Sequence, residues 1–450
     1  MSELNPQREV QPSQPSVHRQ ILALAVPALG ALVAEPIFVL ADSAMVGHLG
    51  TPELAGLSLA STLLTTVVGL CVFLAYASTA ATARKAGAGD TRGAVRDGID
   101  GMWLALLIGA LLALLIGVGA PVLVALFHPG AAVIPHALAY LRASAPGLPG
   151  MLLVLAATGV LRGLLDTRTP LIVASAGAVA NIGANAALIY GFGLGVAGSG
   201  AGTAIVQSAM GLTLGAVVVV KARRAGVSVR PRADGLWRST RAGLPLFVRT
   251  ASLRVAILAT VATATALGSV VLAGYQVVNA VWGLTAFALD ALAIAAQALV
   301  GQALGRGNPR AVSALLRITL TWGVLAGVVI GLILVVGSPW ITPLFTPDPA
   351  LRTAATSGLV TIGILMPLAG WVFVLDGILI GAGDGVYLAW AGLVNLLAYL
   401  PALAVIWYVA PEGESGLLWL WVGFAGVFMA ARAATTTWRV RGTTWMRLND

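Results

Sequence analysis

The amino-acid sequence predicts an all-α polytopic membrane protein in which twelve transmembrane helices form two parallel-repeat six-helix lobes around a central cleft. The chain has 450 residues, of which 58% are hydrophobic and 10% are charged, and its mean hydropathy is +0.93. Soluble domains carry about 25% charged residues, so this chain lacks the polar surface that a water-soluble protein needs. Long apolar runs and an internal repeat point to the same architecture.

Twelve apolar runs follow one another along the chain and are joined by short connectors. About 20 helical residues cross a hydrocarbon core of about 30 Å, and every run reaches that length. The predicted spans are 20–43, 54–83, 99–126, 137–161, 170–190, 199–220, 242–266, 271–304, 312–337, 355–380, 386–409 and 416–438.

The basic side chains are distributed unevenly between the two sides of these spans. Of the 26 Lys and Arg residues, 22 fall in the tails or at the even-numbered exits; the exceptions are Arg142, Arg249, Arg254 and Arg352. The positive-inside rule then places both termini in the cytoplasm of a protein of the cell membrane. The net charge of +9 therefore reflects the basic residues that mark the cytoplasmic side of the protein. It favours anionic membrane lipid as a partner, and nucleic acid is not expected because no basic patch is interleaved with aromatics.

The polar intervals divide the chain into regions. Residues 1–18 are rich in Pro, Gln and Ser and read as a disordered cytoplasmic tail. The first lobe is predicted at 19–220, a cytoplasmic linker at 221–241, the second lobe at 242–440 and a second cytoplasmic tail at 441–450.

An internal repeat appears when the chain is compared with itself at a shift of 218 residues. Gly, Pro and charged residues that interrupt the apolar runs coincide over about 140 positions, among them Pro27 with Pro245 and Asp166 with Asp384. Each copy contains six spans, an even number, so the copies share one orientation and are related by an axis along the membrane normal. Such lobes can rock against each other and expose a central site alternately to the two sides.

Four carboxylates lie within apolar stretches: Glu35, Asp42, Asp290 and Asp376. Charged groups at the centre of a bilayer cost about 2.5–3.5 kcal/mol on insertion scales, which makes them candidates for function. Glu35 and Asp42 are seven residues apart and therefore share a helix face. Pro27 precedes them and can bend the same helix.

A carboxylate in low dielectric holds a proton readily and releases it when water arrives. The ionised group can also attract a lipophilic cation, and competition between the two ligands gives antiport. Asp42 is the main candidate, against the alternative that it lies too near the outer end of its span to be buried. For Asp290 and Asp376 a substrate role and a structural ion pair remain equal alternatives, with Arg254 as the expected counter-charge.

Amide side chains provide further candidates for the site. Asn181 and Asn185 are four residues apart on one face of span five, where they can accept from a protonated acid or bind a cation. Gln276 and Asn279 in span eight have the same potential. For all four, hydrogen bonding between helices is the structural alternative.

Other chemistries find little support in the sequence. Cys71 is the only cysteine, the four His lack ligand spacing, and we expect neither a metal site, a cofactor nor catalytic residues. The Gly-rich stretch 191–202 lacks the ending of a Walker motif, and we expect it to provide a tight outer turn and close helix packing. An intramembrane enzyme is disfavoured because no nucleophile–base pair or Asp-rich motif occurs.

In combination, several segments resemble the multidrug and toxic compound extrusion (MATE) transporters, and in particular their DinF-like prokaryotic branch. The segments are Asp-Ser-Ala-Met-Val-Gly-His-Leu-Gly at 42–50, Gly-Val-Leu-Arg-Gly-Leu-Leu-Asp-Thr-Arg-Thr-Pro at 159–170, Gly-Val-Ala-Gly-Ser-Gly-Ala-Gly-Thr at 195–203, the run from Leu289 to Asn308, and Asp-Gly-Ile-Leu-Ile-Gly-Ala-Gly-Asp at 376–384. The resemblance extends over nearly all of the chain after the N-terminal tail.

The resemblance implies a secondary transporter, not an enzyme, that exports amphipathic, often cationic drugs or toxins in exchange for H+ or Na+. It implies that Asp42 is the coupling carboxylate of the first lobe, with Asn185 beside it and Pro27 at the helix bend. Some family members carry an Asp four residues after the span-five Asn, where this chain has Ile189, which favours H+ over Na+. A lipid-linked saccharide flippase is the second transport alternative, and it would suit a more basic cavity than the central spans suggest. We expect a monomer.

Overall fold

The computed structural model describes residues 16–411 and 413–446. Within them lie twelve helices that are long and apolar enough to cross a membrane, as the sequence predicts. They are α1 (Val17–Gly47), α2 (Thr51–Gly87), α3 (Thr91–Ala125), α4 (Ile134–Gly163), α5 (Arg168–Gly191), α6 (Gly195–Arg224), α7 (Ala233–Ala266), α8 (Ser269–Gly305), α9 (Pro309–Leu344), α10 (Pro349–Gly381), α11 (Gly385–Val409) and α12 (Glu414–Arg441).

The ends of the chain fall partly outside the described residues. Of the expected disordered tail at 1–18, the structure describes only residues 16–18, and α1 already begins at Val17. Of the predicted C-terminal tail, residues 447–450 likewise lie outside the described part of the chain.

The 218-residue repeat reappears in the positions of the helices. Thr51 and Ser269 begin α2 and α8, and Gly87 and Gly305 end these two helices. The α2–α3 and α8–α9 turns also correspond. Asp90 caps α3 by accepting from the Gly93 N–H at 2.7 Å, and Asn308, its counterpart at the 218-residue shift, caps α9 through the Ala311 N–H at 3.0 Å. Acidic and amide side chains are preferred at such caps because they satisfy unpaired backbone donors. Both halves of the chain therefore use the same local signals to build the same helices.

The two lobes meet along α2 and α8. The second half of α2 (Phe73–Gly87) packs against α8, which also contacts α1, and α7 packs against α2 and α3. Two glutamines of α8 connect the lobes: Gln297 Nε2 donates to the Tyr76 carbonyl at 3.1 Å, and Gln302 Nε2 donates to the Gly163 carbonyl at 3.2 Å. These bonds link α8 of the second lobe to α2 and α4 of the first lobe.

The connection between the lobes is shorter than the linker expected at 221–241. Helix α6 continues to Arg224 and α7 already begins at Ala233, because the polar residues on either side extend the helices beyond the apolar runs. Side chains of α3 hold the intervening segment: the Arg92 guanidinium donates to the Ala225 carbonyl at 2.8 Å, and the Trp103 indole donates to the Val229 carbonyl at 2.8 Å.

Candidate functional site

Asp42 lies on α1 and is almost completely enclosed by α5 and α6. Its side chain is 4% exposed, so the alternative that it sits too near the outer end of its span to be buried does not hold. Asn185 Nδ2 donates to Asp42 Oδ1. The hydroxyls of Ser199 and Thr203 donate to Oδ2 at 3.2 and 3.4 Å. Three donors therefore surround one carboxylate within the membrane-spanning part of the protein.

The two asparagines of α5 lie side by side, as their spacing predicts. Asn185 Nδ2 also donates to Asn181 Oδ1 at 3.0 Å, and both side chains are 0% exposed. Asn185 Oδ1 and Asn181 Nδ2 have no hydrogen-bond partner among the described residues. A buried amide group without a hydrogen-bond partner costs free energy. The free donor and acceptor of this pair can therefore bond to Asp42 after a rearrangement, or to a ligand.

Close packing of α6 fixes the position of Asn185. A Cβ placed on Gly202 would lie 1.9 Å from Asn185 Oδ1, so a side chain there would displace the Asn185 amide. The prediction that stretch 191–202 provides close helix packing is confirmed at this position. Sequence reasoning missed Ser199 and Thr203, although their spacing of four residues places both on one face of α6.

A cavity of about 250 Å³ extends from this carboxylate into the first lobe. Glu35 and Asp42 both line it, which confirms that their seven-residue spacing puts them on one face of α1. Pro27 and Pro36 lie within the same helix. The remaining wall is mostly apolar and includes Leu57, Met151, Val154, Leu155, Met210 and Leu214, with Tyr140, Arg162 and Gln207 as polar members.

A second cavity, of about 460 Å³, lies in the second lobe and reaches the interface with α2. Asp376 of α10 lies at its wall and is bonded by two arginines. Arg249 Nη2 donates to Asp376 Oδ2 at 2.7 Å, and Arg432 Nη2 donates to the same oxygen. The expected counter-charge was Arg254, and for Asp376 that expectation was wrong. Arg249 and Arg254 are separated by about 140° around α7, and the Arg254 guanidinium lies against Gly69 of α2 instead.

Asp290 and Arg254 line this second cavity as well. Together with Arg249 and Arg432 they make it strongly polar, contrary to the expectation that the central spans are short of basic side chains. Arg432 was missed because it was counted with the basic residues of the tails and even-numbered exits, although it falls within the predicted span 416–438. The composition of single spans gave no signal for this cluster, since its members come from four different helices.

The amides of α8 are placed differently from those of α5. Gln276 is exposed and Asn279 is half-buried, and neither belongs to the lining of the two cavities. Asn279 Oδ1 accepts from the Tyr275 hydroxyl at 3.5 Å. Gln297, two turns beyond Asp290, is the glutamine of α8 that lines the second cavity.

The two cavities occupy equivalent places in the two lobes. At the 218-residue shift, Val72 of the first cavity corresponds to Asp290 of the second, Thr158 to Asp376, and Leu214 to Arg432. The first-lobe cavity thus contains two acids and one arginine, Arg162, in a mostly apolar wall, and the second-lobe cavity contains a cluster of three arginines and two carboxylates.

Comparisons with known proteins agree with this architecture. The sequence model of the family described as MatE matches residues 27–187 and 245–408, and the two matched segments begin one repeat length apart. Protein DETOXIFICATION 44, chloroplastic, of Arabidopsis thaliana is 29% identical over 439 residues, which span 94% of this chain and 82% of that protein. Probable multidrug resistance protein NorM of Thermotoga maritima is 25% identical over 418 residues, spanning 91% and 89%. DNA damage-inducible protein F of Escherichia coli is 27% identical over 393 residues, spanning 84% and 85%.

Solved structures show the same fold. The outward-facing conformation of a multidrug resistance MATE family transporter of the MOP superfamily gives a TM-score of 0.84 at 20% identity, covering 95% of this chain and 96% of that one. A MOP superfamily transporter from Pyrococcus furiosus gives 0.85 at 19% identity, covering 97% and 100%.

Proposed function

The chain belongs to the MatE family of multidrug and toxin efflux transporters, and on that premise we propose that it exports amphipathic or cationic compounds in exchange for H+ by alternating access. The observation that carries the proposal is the enclosed Asp42 carboxylate at the wall of the first-lobe cavity. We further infer that the protein lies in the cell membrane with both termini in the cytoplasm, since the basic side chains concentrate at the ends of the even-numbered spans.

The chemistry of the Asp42 site suits a group that alternates between a proton and a substrate. Burial away from water disfavours the ionised form of a carboxylate, while donated hydrogen bonds favour it. Asn185, Ser199 and Thr203 supply such bonds, so movement of α1 relative to α5 and α6 changes the balance between the two forms. Release of the proton then leaves a negative charge in a mostly apolar chamber, which favours the entry of a cationic amphiphile.

The ligands around Asp42 favour H+ over Na+. A sodium ion needs several oxygen ligands, whereas Asn185 turns its Nδ2 donor toward Asp42. Ile189, at the position where some family members have a second carboxylate, is 2% exposed and apolar. One carboxylate that already accepts three donors can gain or lose a proton without assembling a cation shell.

The experiment is substrate-driven proton movement in proteoliposomes containing a pH-sensitive dye. The Asp42→Asn variant should lose both this proton movement and export driven by a pH gradient, because the amide cannot exchange a proton near neutral pH. The matched control is Glu35→Gln, a variant of the other acid in the same cavity, which should retain proton movement. Unchanged export by Asp42→Asn with a normal thermal unfolding curve would contradict the proposal. If a sodium gradient at constant pH drives export by the unmodified protein, the coupling ion is Na+ and not H+.

A further inference from the structure

The second-lobe cavity carries an excess of positive charge that the proposed export of cations does not use. Three arginines, Arg249, Arg254 and Arg432, and two carboxylates, Asp290 and Asp376, line it. We propose that this cavity binds amphipathic organic anions, specifically aromatic carboxylates, and that Arg254 is the residue that pairs with the ligand's carboxylate.

Arg249 and Arg432 are already engaged with a carboxylate of the protein. Both donate to Oδ2 of Asp376, and all three residues are buried. Removing one member of such a group leaves a buried charge without compensation, which is strongly unfavourable. These two arginines therefore belong to a fixed structural cluster.

Arg254 has no such partner. It makes no ion pair within 4 Å of a carboxylate among the described residues, yet it lies within α7 and faces the cavity. Its guanidinium rests against α2, where a Cβ on Gly69 would lie 2.3 Å from Nη2. A guanidinium presents a planar set of donors that matches a carboxylate. An anion bound at Arg254 would supply the carboxylate that no described residue, Asp290 included, places within 4 Å of its guanidinium.

The remaining wall of the cavity suits a flat apolar body. Besides aliphatic and small residues, it includes the aromatic side chains Tyr76, Trp282, Phe287, Phe373, Phe424 and Phe428. Aromatic rings pack favourably in offset or edge-to-face arrangements. The volume of about 460 Å³ lies within the range of about 300–1,000 Å³ that is typical of small-molecule sites. A fused ring bearing one carboxylate therefore matches both the shape and the charge.

This chemistry is confined to the second lobe. At the 218-residue shift, Arg249, Arg254 and Arg432 correspond to Ala31, Pro36 and Leu214 of the first lobe. The first cavity instead carries two acids, Glu35 and Asp42, against one arginine, Arg162. The duplicated chambers are thus adapted to ligands of opposite charge, and the inference holds whichever ion the first lobe uses.

Isothermal titration calorimetry on the purified full-length protein in dodecyl maltoside tests the proposal with three ligands of one shape. These are 2-naphthoate, neutral 2-naphthamide and cationic 2-naphthylmethylammonium. We expect 2-naphthoate to bind saturably with one site per chain and about tenfold more tightly than 2-naphthamide, as a charge-assisted hydrogen bond implies. Equal or tighter binding of the neutral or cationic analogue would overturn the proposal.

Two variants locate the site. Arg254→Gln should weaken 2-naphthoate binding about tenfold, whereas Arg254→Lys should retain a preference for the anion over 2-naphthamide. Gly69→Ala should also weaken binding, because the new methyl displaces the guanidinium. Gly117→Ala is the matched control, since a Cβ there meets no atom within 4 Å. Unchanged affinity of Arg254→Gln for 2-naphthoate would show that the anion binds elsewhere, and it would refute the inference.

Two further measurements separate this site from other sources of anion binding. Asp42→Asn should leave 2-naphthoate affinity unchanged, so a failure of the coupling proposal and a failure of this one are distinguishable. The titration is then repeated in nanodiscs of phosphatidylcholine with and without phosphatidylglycerol. Affinity that is equal in both supports a site for a soluble anion. Loss of binding in phosphatidylglycerol would show that a lipid phosphate occupies the cavity, contrary to the proposal.

Discussion

The hydroxyls of Thr260 and Tyr399 lie 2.9 Å apart in the interior of the second lobe, at the positions that the repeat aligns with Asp42 and Asn181 of the first lobe. Both side chains are 0% exposed. Thr260 Oγ1 also lies 2.8 Å from the Ala256 carbonyl oxygen, to which it donates, so the phenol donates to Thr260. Where the first lobe holds a carboxylate and an amide, the second holds a neutral, satisfied hydrogen bond.

The Thr260–Tyr399 pair should contribute to stability without any role in ion exchange. Tyr399→Phe removes one neutral buried hydrogen bond, and we expect the free energy of unfolding to fall by about 1 kcal/mol. Substrate-driven proton movement in proteoliposomes should remain as in the unmodified protein, since neither hydroxyl titrates near neutral pH. Loss of proton movement in a folded Tyr399→Phe protein would show that the second lobe takes part in coupling.

The contact between Gly202 and Asn185 should control the Asp42 site without any change to the carboxylate itself. In Gly202→Ala the methyl group would overlap Asn185 Oδ1 and push the amide away from Asp42. We expect several-fold slower proton-coupled export, measured as the initial rate of dye efflux at a fixed pH gradient. Gly183→Ala in α5 is the matched control, because its Cβ meets no atom within 4 Å. Equal rates for both variants would argue against a positioning role for Asn185.

Asp376 should be chiefly a structural residue. Asp376→Asn leaves Arg249 and Arg432 side by side without their shared carboxylate, and we expect a loss of about 3–5 kcal/mol in stability. Thermal unfolding of the detergent-solubilised protein measures this as a lower Tm. Asp42→Asn is the comparison, since Asp42 has no cationic partner within 4 Å among the described residues and should shift the Tm far less. Similar Tm values for the two variants would contradict this assignment.

The sequence predicted those parts of the site that depend on a single helix. The spacings of Glu35 with Asp42 and of Asn181 with Asn185 placed each pair on one face, and the structure confirms both placements. Ser199 and Thr203 follow the same rule, but nothing local indicated that their face of α6 meets α1. The pairing of Asp42 with these groups spans more than 140 residues and depends on how three helices pack.

By itself, the sequence determined the twelve helices and the duplication. The length of an apolar run, a helix cap and a Gly or Pro at a turn each act within one helix or one turn, so they can be recognised without the tertiary structure. Only the tertiary structure decided which charges meet. Arg249 bonds Asp376, whereas Arg254, about 140° away around α7, lies against Gly69 of α2. The free energy of a buried charge depends on partners from other helices, and composition carries no information about that arrangement.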